Sequence, residues 1–289
     1  DNILGPGINI HRHPLNGRNF EYFSEDPLVS GKMAAAELRG LKKQGVTGTL
    51  KHFAANNQEK KRHDVDSIVS ERALREIYLK SFEIAVKEAQ ADSVMTTYGR
   101  LNGVWTAGRY ELNTTILRNQ WGFTGIVMTD WWAKINNQSG TKGVGNDFAS
   151  MVRAQNDIYM VCPQGDENRT DDNTLKELAA GTLTRGELQR SATNICRQLM
   201  SLPAFARLNG ETETVEILHK PEDKSDFDIE NIAYYTFDEK GEIPMDGIDT
   251  SKGSSFVFAI DVPTGHLYDL HIEYSSESGE LAQIPMTIF

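Results

Sequence analysis

Cysteine is scarce: Cys162 and Cys196 are the only two thiols in 289 residues, too few for a disulfide framework. One falls in an expected strand and the other in an expected helix, which suits reduced core thiols and leans towards a cytoplasmic protein. Positive charge is also short, with 30 Lys and Arg against 41 Asp and Glu and a formal net charge of −11. Phosphate backbones and anionic lipid surfaces reward clustered cations, so nucleic acid and membrane are poor partners for this chain. No stretch approaches the roughly 20 apolar residues needed to span a bilayer, and residues 1 to 20 lack the charged-then-apolar layout of a signal peptide. Sequons at Asn113, Asn137 and Asn168 bear only on a secretory protein, and such triplets arise often by chance. His11 and His13 form a His-x-His pair with no carboxylate or Cys at ligand spacing, so neither a metal site nor a cofactor motif is read.

What remains is an ordinary globular composition, 39% hydrophobic, long enough for one large domain and a smaller one. Residues 1 to 200 alternate short apolar runs with amphipathic helices, the pattern of parallel strands joined by helical crossovers. The strands are expected at Asn2 to Ile10, Thr47 to Phe53, Ser93 to Tyr98, Gly125 to Thr129 and Asp157 to Val161. Asp26 and Pro27 supply an N-cap and a first-turn proline for a helix to about Lys43, and Gly45 follows where it would stop. Leu74, Ile77, Tyr78, Phe82 and Ala85 share one face of a helix starting near Ser70. Thr184 and Glu187 form a capping box for the last helix.

After about Leu202 the pattern changes. Residues 206–252 read as an acidic, irregular connector. In 253–289 Tyr268, Leu270, Ile272 and Tyr274 alternate with polar residues, and Pro263 to Gly265 would turn this strand back on Phe256 to Ile260. The expected architecture is therefore α/β: a (β/α) TIM-type barrel over 1–205, incomplete in this chain, followed by a small antiparallel β-sandwich-like segment. A barrel of eight units takes about 250 residues, whereas about five or six units can be counted in about 200. The chain begins immediately before one apolar run and ends within another, so both ends read as cuts.

In βα barrels the working side chains project from the carboxyl ends of strands. Here those positions offer Arg18, then Lys51 and His52, then Tyr98, then Asp130 followed by Trp131 and Trp132. Arg and Lys donate charged hydrogen bonds to hydroxyls, His and Tyr add directional ones, and an indole covers the CH face of a pyranose. A carboxylate among them can attack an anomeric carbon. Each residue also has a plainer reading: Asp130 as a helix N-cap, Arg18 as a scaffold partner of Glu21 or Glu25, Trp131 as a buried anchor, Met95 and Tyr98 as core or rim. Glu21, Glu25, Asp26 and Glu59 are read as structural carboxylates.

The segments GRNFEYFSEDP from Gly17, KHFAANNQE from Lys51, SERALREIYLKSFEIAV from Ser70, VMTTYGRLNG from Val94 and WGFTGIVMTDWWA from Trp121 resemble family 3 glycoside hydrolases. They look most similar to its β-glucosidases. The resemblance runs in one order over about residues 3 to 200, whereas the strand-rich tail is only loosely similar to β-sandwich appendages in that family. It implies that Asp130 is the nucleophile of a retaining mechanism and that Arg18, Lys51, His52, Met95, Tyr98 and Trp131 line the −1 sugar subsite. The family's general acid/base, usually a Glu on an α/β-sandwich domain, is not identifiable here. The chain is therefore expected to be the C-terminal part of a member whose sandwich precedes the barrel, with the acid/base on a missing N-terminal half or a separate chain.

The implied partners are that half, a β-glucoside or oligosaccharide substrate releasing terminal β-D-glucose, and, left open, further copies of the chain. The rival readings are a β-xylosidase or mixed aryl-β-glycosidase, a Schiff-base aldolase using Lys51, and a non-catalytic fragment that binds sugar or needs a partner chain.

Overall fold

The computed structural model describes residues 2–136, 142–162 and 167–210, with two short strands at Ala233–Thr236 and Phe258–Asp261. The chain forms two compact units, Asp1–Thr214 and Val215–Phe289.

The first unit is built on four parallel strands, β1 (Asn2–Ile3), β2 (Thr47–Phe53), β3 (Ser93–Thr96) and β4 (Ile126–Met128), hydrogen-bonded in that order. The spatial order follows the chain order, as in a barrel wall; a doubly wound sheet reverses at a switch point. Leu50, Phe53, Val94 and Val127 bury one side of this sheet against Leu38, Phe82, Leu112 and Leu117 of the crossover helices. β4 is wholly apolar and buried, as suits a parallel sheet covered on both faces, whereas β2 and β3 bury Thr49 and Ser93 against each other through a hydroxyl hydrogen bond.

The outer strands are shorter than the sequence predicts, and one cause serves both. Around Asn2 to Ile10, ladder bonds continue past β1 as Lys51 N–H to Pro6 O and Ile8 N–H to Lys51 O. The next rung is made by a side chain: the Asn9 amide accepts from His52 N–H at 2.8 Å and donates to His52 O at 2.9 Å. Around Asp157 to Val161, only Ile158 bridges to Met128, and Thr129 Oγ1 accepts the Met160 N–H at 2.8 Å. A polar side chain standing in for backbone keeps the segment alongside while ending regular pairing.

Helix α1 (Pro27–Lys43) starts on Asp26, whose side chain accepts from Leu28 N–H. It stops in a Schellman arrangement: Gly45, at φ +71°, donates to Lys42 O and Val46 donates to Leu41 O. Ser70 caps the next helix, which runs through Glu71–Ala73, a π-helical stretch Leu74–Tyr78, and α2 (Lys80–Ala89). This stretch corrects the expected face. Its wide turn, Leu79 N–H to Leu74 O, adds a residue to the period, so Leu79 is buried at 1% and Ile77 is turned out at 40%. Gly31 lets α1 approach α2, since a Cβ there would lie 2.7 Å from Ile84.

The capping box of Thr184 and Glu187 opens α3 (Arg185–Met200). Its buried residues are Ser191, Asn194 and Gln198, a polar stripe over a buried ion pair described below. The cysteines are free but are not core thiols: Cys162 is half-buried, and Cys196 lies off that stripe and is exposed. Among the described residues no helix is long and apolar enough to cross a membrane.

In the second unit Ala233–Thr236 pairs with Phe258–Asp261 in parallel. This is a different pair from the expected antiparallel one of Phe256 to Ile260 with Tyr268 to Tyr274, whose second strand lies outside the described residues. Ala233–Thr236 also falls inside the segment read as irregular, while the helix Pro203–Leu208 spans the boundary drawn at 205. Residues 262–289, which carry Tyr268 to Tyr274 and the turn at Pro263, lie outside the described residues.

Candidate active site

Asp130 follows β4 by one residue and is 8% exposed. Its Oδ1 accepts the Trp131 N–H at 3.1 Å, and Tyr98 O–H, from the residues after β3, also donates to the carboxylate. Burial pushes the carboxyl up to about 6, against the opposing pull of the Tyr98 hydrogen bond and of the Arg62, Arg18 and Lys51 charges. Tyr98 is shifted upward in turn, by burial and then by the carboxylate beside it.

The carboxyl end of β2 supplies Lys51 and His52. His52 is 2% exposed, with Nε2 3.8 Å from Asp130 Oδ2 and 2.9 Å from Arg18 Nη1. Burial, then the Arg18, Lys51 and Arg62 charges, hold the imidazole well below its ordinary pKa. The approach to Asp130 is therefore a neutral contact and not an ion pair. Glu21 gathers the cations: it pairs with Arg18 and lies 3.3 Å from Lys51 Nζ. Burial works to raise its carboxyl, but hydrogen bonds and charge from Arg18 and Lys51 bring it below the ordinary value.

The structure thus brings Arg18, Lys51, His52, Tyr98 and Asp130 to one place. Arg18 is salt-bridged to Glu21, the scaffold role considered for it, and also points Nη1 at His52. Met95, 2% exposed, and half-buried Trp131 lie beside this cluster and share an apolar group with Ile126 and Met128. Trp132 is the exposed indole, at 64% with φ +56°. His11 and His13 gain no third ligand, and among the described residues no group of His, Cys, Asp and Glu is arranged to hold a metal.

Four residues were invisible to sequence reasoning. Asn9 clamps the His52 backbone from both sides. Tyr22 places its hydroxyl 3.3 Å from His52 Nδ1, and Asn56 donates to that hydroxyl at 3.0 Å. Arg62 lies over the Tyr98 ring at 4.7 Å and is tied to Glu59 at 2.9 Å. Asn9 lies inside a run read as a strand and the other three in segments with no periodicity, and they meet only through the fold. The local signals are the segments GRNFEYFSEDP, which contains Tyr22, and KHFAANNQE, which contains Asn56.

A buried carboxylate thus stands at the mouth of a parallel βα sheet with Arg18, Lys51 and Arg62 around it and Trp131 beside it, on a fold of the βα-barrel class. The Glycosyl hydrolase family 3 N terminal domain matches residues 1–198, and the chain belongs to this family. It is 56% identical over its full length to a beta-glucosidase of Ruminococcus albus, of which it covers 30%. It is 44% identical over 68% of its length to thermostable beta-glucosidase B of Acetivibrio thermocellus, covering 24% of that protein. An exo-alpha-(1->6)-L-arabinopyranosidase of Bifidobacterium breve is also 44% identical over 66% of the chain, which covers 23% of it.

Among solved structures, a beta-glucosidase from Paenibacillus barengoltzii superposes with a TM-score of 0.70 at 55% identity, over 84% of this chain and 25% of that one. Beta-glucosidase 3B of Thermotoga neapolitana, in complex with alpha-D-glucose, gives 0.64 at 42% identity over 72% and 28%. The chain therefore spans about a quarter to a third of the length of these relatives.

Proposed function

We propose that this chain carries the nucleophile side of a retaining β-glucosidase site, acting on terminal β-D-glucose of β-glucosides or cello-oligosaccharides. The observation that carries this reading is Asp130, buried at a strand's carboxyl end with Arg18, Lys51, Arg62 and Tyr98 around it. Asp130 attacks the anomeric carbon, the bond to the departing oxygen breaks, and a covalent glycosyl-enzyme forms that water later cleaves. Arg18, Lys51 and Arg62 act on charge and hydroxyls that shift in the transition state. Retention requires a second carboxyl group about 5–5.5 Å away. Glu21 and Glu59 are each engaged by cations, and because the chain spans about a quarter to a third of its relatives' length we assign that group to a part of the protein outside it. Two free thiols suit a reducing cytoplasm.

A 2-deoxy-2-fluoro-β-glucoside with a dinitrophenyl leaving group departs without a proton and so tests the nucleophile alone. Peptide mapping is expected to place the label on Asp130. Labelling elsewhere, or none even with the complementing upstream part present, would overturn the reading. Because one relative is named an arabinopyranosidase, the matching xyloside and arabinopyranoside belong in the same experiment, with the fastest label identifying the sugar.

A further inference from the structure

We propose that His52 serves the site as a hydrogen-bond acceptor, carrying its proton on Nδ1, and that Tyr22 is the positioning residue that takes this proton in a hydrogen bond. The inference deepens the sugar-site reading and rests on it for its purpose, though its readout needs no turnover.

Arg18 decides which His52 nitrogen carries the proton. A guanidinium has five donors and no acceptor, so Nη1 at 2.9 Å from His52 Nε2 requires a lone pair on that nitrogen. A proton on Nε2 would set two donors against each other at hydrogen-bond distance. A doubly protonated ring would add a buried cation among Arg18, Lys51 and Arg62. The remaining form is neutral with Nδ1–H, and the group facing Nδ1 is the Tyr22 hydroxyl at 3.3 Å. Asn56 Nδ2 donates to that same oxygen at 3.0 Å and spends its other proton on Glu59 Oε1 at 2.9 Å. Asn56 thereby fixes where the Tyr22 oxygen sits, and Asn9 fixes the His52 backbone on both sides. Arg18 sets the tautomer, while Asn9, Tyr22 and Asn56 hold the ring and the hydroxyl in place.

The consequence concerns the ligand. Arg18, Lys51 and Arg62 supply donors, and beside the charged Asp130 carboxylate the site has an uncharged acceptor in the single lone pair of His52 Nε2, which Arg18 occupies. A sugar hydroxyl that displaces Arg18 Nη1 from this lone pair donates to it and accepts from the freed guanidinium, which an ether or fluorine at that position cannot do.

The test is a long-range ¹H–¹⁵N correlation spectrum of the ¹⁵N-histidine-labelled chain, with the His52 signals assigned by their loss in His52→Gln. The expected result near neutral pH is a protonated Nδ1 and an unprotonated Nε2, with a cross-relaxation peak from the Nδ1 proton to the Tyr22 ring protons beside the hydroxyl. In Tyr22→Phe the Nδ1 proton loses its acceptor, so its resonance moves upfield or vanishes by exchange while Nε2 stays unprotonated. In Arg18→Met the Nε2–H form appears. A wild-type spectrum with Nε2–H or both nitrogens protonated overturns the proposal, as does an Nδ1 resonance unmoved in Tyr22→Phe. If Tyr22→Phe does not fold, absence of the wild-type cross-peak overturns it. None of these depends on whether Asp130 is labelled by the fluoro sugar, so the two ideas fail separately.

Discussion

Asp130 and Asp157 are buried aspartates on the same parallel sheet, 8% and 7% exposed, and burial pushes both carboxyls up. Their partners differ. Asp157 Oδ2 takes Arg118 Nη2 at 2.6 Å and Val127 N–H at 3.0 Å, and Oδ1 takes Asn194 of α3 at 3.0 Å. Arg118 also donates to the carbonyls of Gly125 and Gln155, while its Nε has no partner. This network closes the amino end of the sheet and pairs its two charges with each other. At the carboxyl end, the cations around Asp130 are held on other carboxylates, Arg18 and Lys51 on Glu21 and Arg62 on Glu59. They act on Asp130 through space while its Oδ2 faces the unprotonated edge of His52. Burial makes a carboxylate costly in both places; a direct cation partner makes one a strut, while the other has hydrogen bonds but no cation bound to it.

The largest test of this contrast is to remove each charge. Asp130→Asn is expected to lose on the order of 10⁴-fold or more in the rate of fluoro-glucoside labelling, since the attacking group itself is gone. Asp157→Asn is expected to label at the normal rate per folded molecule. Its loss is instead in stability, about 3–5 kcal/mol by urea unfolding, because Arg118 is left as an uncompensated buried charge. Equal losses of rate in the two variants would erase the distinction.

A smaller effect has the opposite sign. Asp130 has its pKa raised from 3.8 to about 6, so the folded chain holds that proton more tightly than the unfolded chain. Such a group favours folding below its unfolded pKa, and this contribution is lost as pH rises through the folded value. At neutral pH the ionised carboxylate therefore costs about 1–3 kcal/mol, from about 1.4 kcal/mol per pH unit. Asp130→Asn is expected to be more stable than wild type by that amount at pH 7, with the two unfolding curves converging near pH 4. A gap that widens on acidification would show that the hydrogen bonds of Asp130 outweigh its desolvation.

The two ends also differ in how far the sequence revealed them. Asp130, Lys51, His52 and Arg18 each follow a short apolar run, so the rule that strand ends carry function located them. Asp26, Gly45, Thr184 and Glu187 mark helix ends by local chemistry and could be read one at a time. Arg118 and Asp157 lie 39 residues apart and meet only once the crossover has folded, and no local signal separates Asp157 from a turn residue. Asn9 and Thr129 misled in the other direction. Their side chains replace backbone rungs beside β2 and β4, so apolar runs that look like whole strands pair regularly over only part of their length. Ile77 failed for a third reason, since a π turn is an extra residue in a period that pattern reading takes to be constant.

The finest test asks whether charge reaches Asp130 without contact. The labelling rate is expected to fall about tenfold per pH unit below about 6, as the attacking carboxylate is protonated. Arg62 is bound to Glu59 and lies over the Tyr98 ring, yet its charge favours the ionised form of Asp130. Arg62→Gln removes that charge while keeping an amide near Glu59, so the acid limb of the labelling profile is expected to move to higher pH, by about 0.5–1 unit for a partly screened cation at this range. The rate on the alkaline plateau reports any separate loss of sugar binding. Lys134→Gln makes the control, since Lys134 pairs with Asp64 and is not among the leading influences on Asp130. A limb that moves equally in both variants would reduce the cations around Asp130 to a general field of the surface. A limb that moves only with Arg62 assigns the tuning of Asp130 to a cation that never pairs with it.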